Sequence, residues 1–281
     1  MSTGVLLAVL AAALMHASWN AIIRGAPDKR QYTILLHACA ALLAAVGLCF
    51  TGLPSLASAP YIATSAVIHW VYIALLMRIY EGGQLAVGYV AMRGLAPLLV
   101  FLFSVGVLHE ALPLTAWLGV ASILGGVLTI ALFSGQPLAL LLRHPSGRAA
   151  LLNAGLIASY TLVDGQGVRL SGNPLGYVFT LVLLDPLLAL TQQWRRDPQV
   201  LMRYAREHWK LGFIGAGIST AGYGIVLWAM TQAPVALVAA LRESSVVFAV
   251  LIGGLWFKEG RLRPGLLAAG MVLGGVALIR L

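Results

Sequence analysis

The chain has 281 residues, of which 60% are hydrophobic and only 10% are charged, and its formal net charge is +9. The charged fraction lies well below the quarter that is usual in soluble globular domains, so the composition excludes a water-soluble domain and indicates a chain surrounded by lipid. The basic residues are concentrated in the connections between apolar segments, which argues against a nucleic-acid partner and favours a membrane topology signal.

Ten apolar segments follow one another along the chain, and each is close to the roughly 20 residues that a helix needs to cross a bilayer. We number them spans 1 to 10 and predict one transmembrane helix for each. Span 1 has no basic stretch before it, so we expect a retained helix rather than a cleaved signal peptide. The spans are 4–23, 31–51, 59–80, 84–108, 114–133, 149–168, 174–193, 209–230, 235–257 and 264–280.

Span 1 carries polar and aromatic side chains on one helical face. His16, Trp19 and Asn20 have the i, i+3, i+4 spacing that places side chains on the same side of a helix. Because polar groups in a membrane helix avoid lipid, we expect this face to point into a cavity. The same reasoning adds His69 and Tyr72 of span 3 to the cavity wall.

Span 4 contains a cation, Arg93, with Tyr89 one helical turn before it. Nine residues into its span, the arginine lies roughly 14 Å deep in a hydrocarbon core of about 30 Å. A charge at that depth costs at least a few kcal/mol, so such residues face a cavity or a partner. Arg93 is expected either to bind a carboxylate of the substrate or to be neutralised by backbone carbonyls of the bundle.

The second half of the chain repeats these features. Span 6 presents Tyr160 and Asp164 one turn apart, span 8 carries Tyr223, and span 9 holds Arg242 followed directly by Glu243. Adjacent side chains on a helix diverge by about 100°, so the last two cannot pair cleanly and one of them is expected to face the cavity. Arg242 has the same two interpretations as Arg93: a carboxylate ligand or a structural charge held by a buried acid.

The acids in and near the spans have alternative interpretations. Asp185 precedes Pro186 in mid-span 7, where it can satisfy backbone donors at a helix kink, form an ion pair, or carry a coupling proton. Glu110 and Glu259 stand just before spans 5 and 10, so we expect them to stabilise helix N-termini. The histidines show no metal-ligand spacing and no glycine-rich phosphate loop follows a strand, so we expect no cofactor and no enzyme.

An internal repeat divides the chain. A shift of 149 residues aligns 80–132 with 229–281 without a gap and places Arg93 on Arg242 and Glu110 on Glu259. A weaker match at a shift of 141 relates span 1 to span 6. Five spans per half is an odd number, so the two halves must cross the membrane in opposite senses.

Inverted repeats are a recurring architecture of secondary transporters, whose binding site lies between the halves. We therefore predict an all-α integral membrane fold of ten transmembrane helices, arranged as two inverted five-helix repeats with a central cavity. The predicted parts are an N-terminal repeat at 1–133, a connecting loop at 134–148 and a C-terminal repeat at 149–281.

The two predicted membrane faces differ in charge. The connections after the odd-numbered spans hold fourteen of the 18 basic residues, and the face that carries both termini holds two. The positive-inside rule then places the termini outside the cytoplasm, in an inner (plasma) membrane. The basic stretch 195–210 can alternatively bind anionic lipid headgroups.

Three stretches carry a resemblance to a known family: the run from His16 to Asn20, the stretch 101–126, and the repeat of that stretch with Glu259, Gly274 and Gly275. They are similar to the ten-helix EamA-type branch of the drug/metabolite transporter superfamily over nearly the whole chain. The resemblance implies secondary transport of metabolites, often amino-acid efflux in bacteria, without a bound cofactor. It also implies cytoplasmic termini, opposite to the charge distribution, and span 1 lacks the carboxylate of the four-helix multidrug relatives.

Together these features predict a secondary transporter of small zwitterionic or anionic metabolites, foremost an amino-acid exporter that works by alternating access in the bacterial inner membrane. The alternatives are a translocator of lipid-linked sugars or nucleotide sugars, and a non-transporting membrane subunit or enzyme. Expected partners are a small-molecule substrate and membrane lipid, and both monomer and homodimer are open. The expected substrate-binding residues are His16, Trp19, Asn20, His69, Tyr72, Tyr89, Arg93, Tyr160, Asp164, Tyr223, Arg242 and Glu243.

Overall fold

The computed structural model describes the backbone of residues 1–81, 85–133, 145–256 and 262–280, and the side chains of 1–75, 95–129, 147–254 and 265–280. Within these ranges the chain is all-α, which confirms the predicted fold class. The helices are α1 Thr3–Gly25, α2 Lys29–Thr51, α3 Ala59–Glu81, α4 Leu85–Gly106, α5 Leu114–Phe133, α6 Pro145–Leu170, α7 Pro174–Leu184, α8 Leu187–Arg196, α9 Pro198–Gln232, α10 Val235–Arg242, α11 Ser245–Trp256 and α12 Leu262–Arg280.

Two of the ten predicted spans are interrupted. Span 7 becomes α7 and α8, which meet at Asp185 and Pro186, because proline has no backbone N–H to continue the helix. Span 9 becomes α10 and α11, and this second break is not visible in the sequence. The N–H groups of Glu243 and Ser244 donate, at 3.0 Å each, to carbonyls three residues earlier, so the helix tightens to a 3₁₀ turn there.

Helix α9 is much longer than predicted. The sequence predicts a polar loop at 195–210 before span 8, but α9 begins at Pro198 and runs for 35 residues, or about 52 Å. The carboxylate of Asp197 caps it by accepting hydrogen bonds from the N–H groups of Gln199 and Val200, at 2.9 and 3.3 Å. Since a hydrocarbon core is about 30 Å thick, several turns of α9 extend beyond it.

The helices pack mainly across the two halves of the chain. Each of the first five helices has its principal neighbour in the second half: α1 and α2 pack on α9, α3 and α4 on α6, and α5 on α12. In the repeat, α1 corresponds to α6 and α3 corresponds to α9. The pairing of α1 with α9 is therefore equivalent to the pairing of α6 with α3, as an inverted repeat requires. The space between the halves is therefore enclosed by both of them.

The crossing of α5 and α12 shows the inverted relation residue by residue. A Cβ atom on Gly126 would lie 2.8 Å from the carbonyl oxygen of Ala268, and one on Gly119 would lie 2.7 Å from that of Gly275. The helices are thus antiparallel, and the shift of 149 residues converts one of these contacts into the other. Small residues let the two backbones approach closely, which is the usual basis of helix association in lipid.

The connections that follow the even-numbered spans lie together on one face, which we call the terminal face (52–58, 107–113, 171–173 and 233–234). Ser55 N–H donates to the carbonyl of Ser171 at 2.9 Å, and the amide of Asn173 donates to that of Thr51 at 2.8 Å. Six helical segments of the described side chains are long and apolar enough to cross a membrane. The opposite face, with the connections after the odd-numbered spans, is called the basic face.

Candidate functional site

A cavity of about 710 Å³ lies between the two halves. Its deep end is apolar, with Ala12, Ala96 and Val226 in the wall, and it extends to the exposed residues Asp28 and Lys29 in and beside the connection between α1 and α2. The cavity therefore opens on the basic face. Its volume falls in the range of sites that bind small molecules.

Most of the residues that the sequence singles out lie on this cavity. Asp164 does not reach it, and the side chains of Tyr89 and Arg93 lie outside the described residues. The nine that line the cavity are His16, Trp19, Asn20, His69, Tyr72, Tyr160, Tyr223, Arg242 and Glu243. The prediction that they bind substrate is taken up below.

One wall consists of four rings, His69, Tyr72, Tyr160 and Tyr223, which we call the aromatic wall. His69 stacks on Tyr160 with ring centroids 4.2 Å apart, and it meets Tyr72 and Tyr223 edge-on at 6.5 and 6.4 Å. His69 Nδ1 lies 2.9 Å from the carbonyl oxygen of Ser65, a contact that orients the ring on α3. The wall offers flat apolar surface with polar edges, which suits the side chain of a small metabolite.

Asp164 holds the aromatic wall from behind. Its carboxylate is fully buried; one oxygen accepts a hydrogen bond from the hydroxyl of Tyr177 at 2.9 Å and the other accepts one from the hydroxyl of Tyr223. The sequence predicts that Asp164 faces the cavity together with Tyr160. The structure turns it instead toward α7 and α9, because the two tyrosine hydroxyls there satisfy its oxygens. Asp164 thus contacts the aromatic wall through Tyr223 and does not line the cavity itself.

Arg242 is the buried cation of the described cavity wall. It is the last residue of α10, its side chain is only 12% exposed, and its Nε has no hydrogen-bond partner among the described residues. The nearest Glu243 oxygen lies 4.0 Å from that Nε, which is ion-pair distance but too long for a hydrogen bond. The guanidinium retains donors for an anionic group in the cavity.

Two ionisable residues in the membrane-spanning part of the cavity wall were not singled out as binding residues. His37 of α2 and Asp185, at the break between α7 and α8, both line it, with His37 Nε2 and Asp185 Oδ2 4.0 Å apart. In the sequence analysis His37 is only one of the histidines that show no metal-ligand spacing. It is an ionisable side chain inside an apolar span, so the depth argument applied to Arg93 would have identified it.

A polar network at the terminal face joins the connection between α4 and α5 to three helices of the other half. Glu110 accepts hydrogen bonds from the N–H groups of Val235 and Ala236, at 2.9 and 3.3 Å, and from the guanidinium of Arg169 at 3.1 Å. Arg169 also donates to the carbonyl of Ala233 at 3.1 Å. We call this set the terminal lock, because it ties the connection between α4 and α5 to the ends of α6, α9 and α10.

The terminal lock corrects one expectation. Glu110 was expected to stabilise the helix that follows it, α5, but it caps the N-terminus of α10 in the other half. The reason is the close packing of the halves, which brings α10 next to the connection before α5. Glu259, its counterpart in the repeat, lies outside the described residues.

Among the described side chains, no group of three or more His, Cys, Asp and Glu residues is placed to hold a metal ion. The cavity combines a largely buried cation, aromatic surface and a small number of hydrogen-bonding groups, which is the usual composition of a metabolite-binding site.

Comparisons with known proteins agree with this architecture. Residues 148–281 match the EamA-like transporter family. No curated protein matches the chain. A solved crystal structure, described only as that of a protein, superposes with a TM-score of 0.71 over 99% of this chain and 96% of its own, at 17% sequence identity. At that identity the likeness supports the fold alone.

Proposed function

We propose that this multi-pass membrane protein is a secondary transporter of small zwitterionic or anionic metabolites, foremost amino acids. The proposal follows from residues 148–281, which form a domain of the EamA-like transporter family within the drug/metabolite transporter superfamily. The observation that carries the proposal is Arg242, a guanidinium on the cavity wall whose Nε has no hydrogen-bond partner among the residues that the structure describes. A planar guanidinium binds a carboxylate through two parallel hydrogen bonds.

The cavity is matched to a substrate with one charged end and one apolar end. Arg242 fixes the carboxylate, and the aromatic wall offers Tyr72, Tyr160 and Tyr223 as surface for the remaining part of the molecule. A volume of about 710 Å³ accommodates an amino acid together with several waters. His16 and Trp19, whose rings meet edge-on at 5.2 Å, lie on the same cavity from α1.

The side on which the cavity opens indicates which state of an alternating-access cycle the protein adopts. The cavity opens on the basic face, whereas the terminal lock joins the two halves on the other side. If the basic face is cytoplasmic, as the positive-inside rule indicates, this is an inward-open state that loads substrate from the cytoplasm and releases it after the terminal lock opens. That sequence of states is the one an exporter uses.

The test is flux in proteoliposomes that contain the purified protein. A panel of labelled proteinogenic amino acids is loaded on one side, and uptake is compared between the unaltered protein and Arg242→Gln. Removing a charged hydrogen-bond partner of the substrate is expected to reduce the initial rate at low substrate by about ten- to a hundredfold.

Arg206→Gln, which removes an exposed arginine on the extended part of α9, is the matched control and keeps the unaltered rate. Equal flux in Arg242→Gln and Arg206→Gln would remove the role of Arg242. Absence of flux for every amino acid, with movement of a lipid-linked or nucleotide sugar instead, would replace the substrate class and leave the transporter fold intact.

A further inference from the structure

The proposed function gives no role to His37 and Asp185, which form a close pair of ionisable residues on the cavity wall. His37 projects from α2 and Asp185 from the break before Pro186, and both side chains are largely buried, with 26% and 18% exposed. Their nearest atoms, His37 Nε2 and Asp185 Oδ2, are 4.0 Å apart, beyond hydrogen-bond distance. Both residues line the same cavity as Arg242.

The tautomer of His37 follows from its other contact. His37 Nδ1 lies 2.7 Å from the carbonyl oxygen of Thr33, and two acceptors cannot approach so closely, so Nδ1 carries a proton. In the neutral ring, Nε2 is then a bare acceptor. It faces Asp185 Oδ2, which is also an acceptor, across a gap that no described group bridges.

Asp185 lacks donors in the described part of the chain. Its Oδ1 is buried without a hydrogen-bond partner, and Oδ2 accepts none from a described residue. A mostly buried carboxylate without donors or a bound cation costs several kcal/mol. With His37 neutral, the described residues give Asp185 neither a positive charge nor a hydrogen-bond donor, and a positively charged donor that enters the cavity supplies both.

We propose that His37 and Asp185 bind the ammonium group of the substrate, so that the cavity recognises an α-amino acid at both of its charged ends. An ammonium nitrogen about 2.9 Å from both His37 Nε2 and Asp185 Oδ2 subtends an angle of roughly 90° between them, close to the tetrahedral spread of its N–H bonds. The inference rests on the proposed function, in which Arg242 binds the carboxylate.

Binding to the full-length protein in detergent tests the two ends separately. The proteinogenic amino acids are first screened by the shift of the unfolding midpoint, since a ligand stabilises the state that it binds. The best amino acid is then compared with its decarboxylated amine and its deaminated acid; for phenylalanine these are phenethylamine and hydrocinnamate. Affinities are measured by isothermal titration calorimetry for the unaltered protein, Asp185→Asn and Arg242→Gln.

Asp185→Asn is expected to weaken the amino acid and the amine by about ten- to a hundredfold and to leave the acid unchanged. His37→Phe removes one acceptor and weakens the amine by a smaller factor. Glu207→Gln is the matched control, because Glu207 stands 4.0 Å from His208 Nε2 on the protein surface away from the cavity; it changes no affinity.

The outcomes separate this inference from the function on which it rests. If Asp185→Asn binds the amine as tightly as the unaltered protein, or if no amino acid and no amine binds, the ammonium site is overturned. If Arg242→Gln binds the acid unchanged while Asp185→Asn loses the amine, the carboxylate role fails and the ammonium site stands. An unfolding midpoint of ligand-free Asp185→Asn at or above the unaltered value shows that its loss of binding is not loss of fold.

Discussion

Removing the carboxylate of the terminal lock should open the terminal face. In Glu110→Ala the N–H groups of Val235 and Ala236 and the guanidinium of Arg169 lose their common acceptor. The Glu110 side chain is only 10% exposed, whereas Arg169 is 31% exposed, so the main cost is that of leaving the N–H groups of Val235 and Ala236 without their acceptor, about 1–3 kcal/mol. Because this cost falls on the closed arrangement, the ratio of open to closed molecules should rise about ten- to a hundredfold.

Cysteine labelling measures this change. The exposed Cys49 is replaced by serine, and Ala229→Cys introduces a thiol that is fully buried beneath the terminal lock. We expect the labelling rate of this thiol by a polar maleimide to increase by about the same factor in Glu110→Ala. The native Cys39, buried between α2 and α9, reports unfolding and should stay slow.

A double-mutant cycle with Arg169→Ala assigns the effect to the ion pair. The labelling rates give the free energy of opening for each variant. If Glu110 acts through Arg169, the change in this free energy in the double variant should be smaller than the sum of the two single changes, by a coupling energy of at least about 0.5 kcal/mol. Unchanged labelling of the introduced thiol in Glu110→Ala would show that the network does not hold the terminal face closed. Parallel acceleration at Cys39 would show that the variant unfolds instead.

Three further predictions concern stability, and each is measured as the unfolding midpoint in detergent. Gly126→Val places side-chain atoms against the carbonyl of Ala268 and should lower the midpoint by several degrees or prevent folding. The control is Gly270→Val, which should fold because a Cβ atom there meets nothing within 4 Å. Equal midpoints for the two variants would contradict the close crossing of α5 and α12. Asp164→Ala leaves the hydroxyls of Tyr177, which is buried, and Tyr223, which is half-buried, without their acceptor and should cost about 1–3 kcal/mol. Asp185→Asn should raise the ligand-free midpoint, because a buried carboxylate without donors becomes neutral; a lower midpoint would indicate that Asp185 stabilises the kink.

The limits of most helices could be predicted from the sequence because hydrophobic length is a local property. Helix α5 begins and ends at the predicted residues, 114 and 133, and the kink at Pro186 follows from the chemistry of proline. The beginning of α9 could not be predicted in this way. The composition of a charged stretch beside a membrane span is compatible with a loop and with a helix. Here the carboxylate of Asp197 caps the N-terminus and so stabilises the helix.

The sequence predicts which side chains lie on the cavity when their depth in the membrane is enough to decide it. It does not predict toward which neighbouring helix a buried side chain points. His16, Trp19 and Arg242 line the cavity because a polar side chain at that depth has few other places to go. The direction of Asp164 depends on Tyr177 and Tyr223, which come from other helices and leave no mark on the local sequence. The same holds for every contact between the halves.

The way in which the two halves interlock has a consequence for biogenesis. Helix α1 leaves the ribosome early, but its principal neighbour α9 starts at Pro198, and the partner of α5 is the last helix, α12. The first five helices must therefore wait in the membrane with their contact surfaces unoccupied until synthesis is nearly complete. Truncation within the last helix should leave a fully inserted but unassembled chain, which is the form that membrane quality-control proteases degrade.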